Sequence, residues 1–257
     1  MGKVIAVVNQ KGGVGKTTTT VNLAACVGYA LHKVLLVDID PQGNATSAVG
    51  INKKALAHST YDLLIGTERA AGCVQKTRFS GLSVLPSNLN LAGAEIELVE
   101  MENRHGRLKA ALAPIQDQYD FIFIDCPPSL GLLTLNALTA CDTILVPIQC
   151  EYFALEGLSQ LMGTVRQVKR VMNPHLELEG VLLTMYDGRL NLTLQVVEEV
   201  KKHFPSNVYR TTIPRNVRLS EAPSYGMPVL YFDRSSRGSL CYQELAEEFL
   251  SYNRKRR

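Results

Sequence analysis

The chain has 257 residues, 46% hydrophobic and 20% charged, a globular balance that excludes disordered and fibrous classes and leaves ample length for a core. Its longest apolar runs, such as Val34–Val37 and Phe121–Ile124, fall far short of the roughly 20 residues of a membrane span, and Val4–Val8 is too short for a signal-peptide core. The net charge of +3 divides unevenly: residues 1–159 carry 12 Lys and Arg against 14 Asp and Glu, residues 160–257 carry 15 against 10, which puts any polyanion-binding face in the second half. The six cysteines contain no C-x-x-C pair, so neither a disulfide framework nor a thiolate metal site is expected. These features read as a soluble, cytoplasmic protein.

In chain order, Lys3–Val8 reads as a strand, Thr17–Leu31 as a helix and Lys33–Asp38 as a second strand. Further strands are expected at Leu82–Leu85, Phe121–Asp125, Thr143–Pro147, Gly180–Thr184, Val208–Ile213 and Val229–Phe232. Helical stretches fall near residues 91–113, 131–140, 153–172, 190–204 and 238–252. Nearly continuous apolar strands separated by helices imply an α/β fold, a doubly wound and mostly parallel sheet with helices on both faces. No repeat or linker divides the chain, so residues 1–257 are expected to form a single domain.

The most informative stretch is Asn9-Gln10-Lys11-Gly12-Gly13-Val14-Gly15-Lys16-Thr17-Thr18, at a strand-to-helix junction. Closely spaced glycines let backbone N–H groups turn inward around an anion, and a helix N-terminus adds its positive end. Lys16 would reach the β- and γ-phosphates of a nucleotide, and the Thr17 hydroxyl would ligate Mg²⁺. The strict pattern G-x-x-x-x-G-K-[ST] fails, because Gln10 stands where its first glycine belongs. Instead Lys11 precedes the glycine pair. If two such loops faced each other, that lysine could neutralise the partner's phosphates in trans.

Two strands end in carboxylates: Val34–Asp38 runs on to Asp40-Pro41-Gln42-Gly43, and Phe121–Asp125 runs on to Cys126-Pro127-Pro128-Ser129. Ligands of open α/β sheets sit at the carboxyl ends of strands, so Asp125 reads as the acid of the magnesium shell. For Asp38 and Asp40 the sequence leaves two readings, a site acid or a carboxylate that caps a turn. Cys126 reads as packing.

The run Lys11–Thr17 resembles the deviant Walker A motif of the ParA/MinD family of ATPases, with Lys11 at the signature position. The resemblance to the ParA/Soj branch extends from Lys3 to about Phe249. It implies ATP with Mg²⁺ held by Lys11, Gly12, Gly13, Val14, Gly15, Lys16, Thr17 and Thr18, with Asp40 positioning the attacking water. The metal would rest on Thr17, with Asp40 and Asp125 acting through water. It further implies that Pro214 and Asn216 contact adenine while Met185 lines the base pocket. Arg189 and Arg218 match positions of non-specific DNA binding, joined by Arg215 and the tail Arg254–Arg257; a surface ion pair is the competing reading for each arginine. The implied cycle is an ATP-dependent homodimer that binds double-stranded DNA without sequence preference on the nucleoid. Its hydrolysis is slow until stimulated by a ParB (Spo0J)-type partner. Regulation of replication through DnaA is a further implication.

A membrane-associated positioning ATPase of the MinD type is the alternative. It would need a basic amphipathic membrane helix, whereas Leu240–Tyr252 carries Glu244, Glu247 and Glu248 and reads as a core-packing helix, with no membrane contact expected. Carriers and reductases of the superfamily need cysteine patterns that are missing, and a tyrosine-kinase relative needs a tyrosine cluster.

Overall fold

The computed structural model describes residues 2–151 and 154–255. The first half holds β1 (Lys3–Val7), α1 (Lys16–Tyr29), β2 (Val34–Asp38), α2 (Asn44–Ala48), α3 (Thr60–Ile65), α4 (Ala70–Cys73), β3 (Gln75–Lys76), β4 (Leu82–Leu85), α5 (Leu91–Glu97), α6 (Arg107–Leu112) and β5 (Phe121–Asp125). The second holds α7 (Leu132–Ala140), β6 (Thr143–Gln149), α8 (Ala154–Val171), β7 (Glu177–Tyr186), α9 (Asn191–His203), β8 (Ile213–Pro214), α10 (Val217–Glu221), α11 (Val229–Phe232) and α12 (Arg237–Lys255). The strands form one sheet in the order β3-β4-β2-β5-β1-β6-β7-β8. All neighbours pair parallel except the short edge pair β3–β4. From β1 the chain first builds outward through β2 and later through β6, so the carboxyl end of β1 is a topological switch point, where open α/β sheets bind ligands.

Alternation along the strands divides the core. Val4, Ala6, Leu35, Val37, Ile122 and Ile124 point to the face covered by α3, α5, α6, α7, α8 and α9. Ile5, Val7, Val34, Leu36, Phe121 and Phe123 point to the face covered by α1, α2, α10, α11 and α12. Both faces are dry, which is why the strands read as unbroken apolar runs. Helix α12 buries Tyr242, Leu245, Ala246 and Phe249. The Phe249 ring lies 5.1 Å from that of Phe121 and 5.4 Å from that of Phe123. Phe249→Ala is expected to cost about 3–5 kcal/mol, by lost burial and the cavity left behind. Urea unfolding measures this, and a loss under about 1 kcal/mol would mean that the core closes around the gap.

The structure departs from the sequence reading in several places. Val229–Phe232 is not a strand but the single turn α11. It follows Pro228, its first N–H is taken by Asn22 Oδ1 at 2.7 Å, and Val229 and Leu230 pack on the α1 face. Of the strand expected at Val208–Ile213, a bridge from Val208 to Val181 and the two-residue β8 remain. In between, the Arg210 and Thr211 N–H groups donate to Glu248 of α12 instead of to the sheet. The helix expected over 91–113 breaks between α5 and α6, where Asn103 adopts a positive φ of 51°. Residues 44–76, unassigned from sequence, fold into α2, α3, α4 and β3.

Candidate active site

The loop between β1 and α1 is pinned at both sides. At its start the Asn9 amide donates to the Pro147 carbonyl at 2.8 Å and its Oδ1 accepts the Lys11 N–H at 3.0 Å. In its middle the Val14 carbonyl accepts the Thr184 hydroxyl of β7 at 2.8 Å. Gly13 and Gly15 have φ of 74° and 86°, the left-handed region that glycine enters without strain. Gly15 caps α1 with no side-chain hydrogen bond, and the backbone N–H groups opening the helix form an anion cradle. Lys16 Nζ lies across the cradle, donating to the Lys11 carbonyl at 3.0 Å. Burial lowers its pKa, while Asp125, Cys126 and Asp40 oppose that shift. A buried ammonium among carboxylates above a loop of N–H donors suits a polyphosphate.

Asp125 is fully buried at the end of β5. Its carboxylate accepts the Thr17 hydroxyl at 2.8 Å and the Thr20 hydroxyl at 2.9 Å. Asp38 stands opposite it in register on β2. Burial pushes both carboxyls upward, the charge of Asp38 adds to the shift of Asp125 and that of Asp40 to both, and the threonine hydrogen bonds pull the other way. Asp38 accepts from the Asp40 N–H and from the Thr46 N–H and hydroxyl, so its carboxylate is committed to holding the turn. Asp40 receives the Gln42 N–H on one oxygen at 2.9 Å. Its other oxygen accepts no hydrogen bond from the described residues. Among the described residues no cluster of three or more His, Cys, Asp or Glu could hold a metal by itself. The donors fit magnesium in a different manner: the Thr17 hydroxyl, bonded to Asp125, would offer one ligand, and water and phosphate oxygens would supply the rest. Its charge would also relieve the unfavourable burial of two carboxylates.

Beside the loop opens a cavity of about 550 Å³ lined by Gly15, Thr18, Met185, Pro214, Asn216 and Tyr242 among others. It gathers the three residues expected around a base from two separate stretches, the ends of β7 and β8. Met185 holds a positive φ of 49°, costly for a side chain with a Cβ. Asn216 caps α10 by accepting the Arg218 N–H at 3.0 Å. That fixes its oxygen and leaves the amide N–H₂ as the group available to a ligand.

Lys11 does not point into its own loop. Its ammonium pairs with Glu151 after β6, both side chains being near half exposed. Arg189, Arg215 and Arg218 are exposed and follow the carboxyl ends of β7 and β8, whereas Arg254 follows Asn253, which accepts a hydrogen bond from Lys3 at the start of β1, the other end of the sheet. Two of them have acidic neighbours: Arg189 pairs with Asp187 at 2.7 Å, and Arg218 with Glu221 and Asp233 at 2.8 and 3.2 Å. Arg215 forms no ion pair among the described residues and lines the base cavity. Arg254 is exposed, whereas Arg256 and Arg257 lie outside the described residues. Sequence reasoning missed Asn9, Thr20, Thr46, Thr184, Glu151 and Tyr242. Only Thr20 had a visible signal, as the last of four threonines opening α1.

A phosphate-binding loop at the switch point, with its threonine bonded to a strand-end aspartate, defines a nucleotide-binding protein of the doubly wound α/β class. Residues 2–178 match a family described as an AAA domain. The chain is 58% identical over 248 residues to the sporulation initiation inhibitor protein Soj of Bacillus subtilis, covering 96% of this chain and 98% of that protein. It is 50% identical over 250 residues to the chromosome partitioning protein ParA of Myxococcus xanthus, covering 97% and 88%. Of solved structures, the cobyrinic acid a,c-diamide synthase of Mycobacterium smegmatis with bound ADP and magnesium matches at 37% identity and a TM-score of 0.87, covering 100% and 97%. The chain belongs to the ParA/Soj family of chromosome-partitioning ATPases.

Proposed function

We propose that this ATPase is a dimerising switch that binds DNA without sequence preference and drives partitioning with a ParB-type protein. The observation that carries the reading is the division of labour between two lysines of one loop. The Lys16 ammonium spans the loop interior, while the Lys11 ammonium is turned outward to an exposed carboxylate. A lysine so placed serves a second subunit better than its own.

In this reading the loop N–H groups of Gly12 to Thr18 and Lys16 bind the phosphates, and Met185, Pro214 and Asn216 bind adenine. Thr17 would hold magnesium, with Asp40 and Asp125 reaching it through water. Bound magnesium would supply charge neutralisation on the β- and γ-phosphate oxygens. Asp40, with one oxygen uncommitted, orients the attacking water, and Lys11 of the facing subunit offsets charge on the transferring group. No strong general base lies in these motifs, so turnover rests on positioning and electrostatics, which predicts a slow rate that a partner accelerates. Arg189, Arg215 and Arg218 contact DNA phosphates beside the nucleotide. The acids paired with Arg189 and Arg218 must be outcompeted, so a useful affinity needs two copies of the face, and nucleoid association follows from the ATP state. Control of DnaA belongs to the same reading as a downstream consequence. No helix of the described residues is long and apolar enough to cross a membrane. The apolar side of α12 is spent in the core, which disfavours the MinD-like alternative for that helix.

The test is binding to random-sequence duplex DNA with ATP, with ADP and without nucleotide across a salt series. Binding only with ATP, weakening steeply with salt, is expected. Equal binding in all three states, or none, would overturn the switch.

A further inference from the structure

Helix α5 and the turn after it are apolar on two sides. Leu91, Ala94 and Leu98 face inward and are buried. On the opposite side Leu89, Ile96 and Val99 are 67%, 77% and 47% exposed, with Ala92 exposed between them. The spacing 89, 92, 96, 99 puts these four on one helical face. A surface helix ordinarily presents polar residues there, and a contiguous exposed apolar stripe marks an interaction site. The stripe is framed by the exposed Glu97, Glu100 and Glu102, and the one cation beside it is Arg104, which donates to the Val99 carbonyl at 3.1 Å. None of the three carboxylates forms an ion pair among the described residues, although Glu97 accepts the Tyr61 hydroxyl at 2.9 Å.

The same element is tied to both acid-bearing loops of the active site. Ser87, four residues before α5, donates its hydroxyl to the Asp40 carbonyl at 2.8 Å and its N–H to Thr46 Oγ1 at 2.8 Å. Thr46 in turn donates to Asp38 at 2.7 Å. On the other side the Glu95 carboxylate lies against Gly131, leaving no room for a Cβ there. Gly131 caps α7, the helix that follows Asp125. Movement at either loop therefore reaches α5 through direct contacts.

We propose that this face docks a partner protein presenting a basic segment with apolar anchors, and that its occupation is coupled to nucleotide turnover through Ser87 and Gly131. Charge complementarity chooses the occupant. Three exposed carboxylates against the one guanidinium of Arg104 leave the face acidic, which repels DNA and anionic lipid, and a two-fold contact between copies of the face would bring like charges together. Docking stands on the exposed face alone; only the coupling rests on the ATPase reading.

The test uses the full-length protein and a synthetic lysine–leucine amphipathic helix, labelled for fluorescence anisotropy, with a glutamate–leucine helix as counterpart. Ile96→Ser with Val99→Ser, and separately Glu97→Lys with Glu100→Lys, are each expected to weaken the basic helix on the order of tenfold. Glu244→Lys with Glu247→Lys, exposed on α12, should leave it unchanged. Bound helix should also change the steady-state ATPase rate of the wild type and not that of the Ile96/Val99 variant. Equal binding by wild type and both α5 variants, or equal weakening by the α12 pair, would overturn the docking site. Loss of duplex DNA or anionic-vesicle binding in the Ile96/Val99 variant would overturn the choice of occupant. Docking intact with no change in ATPase rate would overturn the coupling alone.

Discussion

Lys16→Ala is expected to abolish binding of magnesium-ATP while leaving the fold intact. Its ammonium is the charged donor that reaches into the phosphate loop, bonded to the Lys11 carbonyl at 3.0 Å and within the field of Asp125 and Asp40. A polyphosphate would replace that carbonyl as its partner in a largely desolvated site. Charge-assisted contacts of this kind are about twice as strong as neutral ones, so a loss on the order of 100-fold or more in affinity follows. Stability should change little. Desolvation already works against the charge of Lys16, and its removal frees one carbonyl to bind water. Titration calorimetry with a non-hydrolysable ATP analogue, run beside thermal unfolding, separates the two effects. ATP affinity within a few-fold of wild type would remove this loop from phosphate binding.

How far the site could be read ahead of the structure depended on whether its parts were contiguous. The loop, its two lysines and Asp125 sit within short motifs whose strand-to-helix context is visible in the apolar runs on either side, and the parallel sheet follows from the same runs. The pins of the loop were hidden because they come from elsewhere: Asn9 reaches the Pro147 carbonyl and Thr184 reaches Val14 across the sheet, and no local pattern marks either. Asp38 illustrates a different limit. From sequence it could have been a site acid or a turn-holding one, and only the Thr46 hydroxyl, eight residues on, decides for the turn. The strand expected at Val229–Phe232 failed because a short β-branched and aromatic run suits a strand and a buried helical turn alike. The position of Pro228 and the Asn22 side chain made it a turn. Short elements between 44 and 76 escaped because each is under two helical turns, too brief for a periodic signal.

Lys11→Ala is expected to keep ATP affinity close to wild type and to remain monomeric with ATP bound. Lys11 lies outside its own cradle, so truncating it takes little from the binding of one nucleotide to one chain. If two loops face each other, however, each loses the cation that would offset the partner's phosphates, and two polyphosphates are left opposed across a shared boundary. Glu151 sharpens the test. In the isolated chain its carboxylate holds the Lys11 ammonium, which keeps that carboxyl below its ordinary pKa, and this pair must open before the lysine can cross. Both side chains are near half exposed, and pairs of that kind contribute about 0–1 kcal/mol. Glu151→Gln should therefore lower the protein concentration needed for the ATP dimer by no more than about fivefold, whereas Lys11→Ala should eliminate the dimer. Light scattering of both variants with ATP at matched concentrations distinguishes a weak restraint from an essential contact. A Lys11→Ala protein that still doubles in mass would return this lysine to its own subunit. A Glu151→Gln protein that dimerises less readily than wild type would mean that the carboxylate supports the interface instead of restraining the lysine.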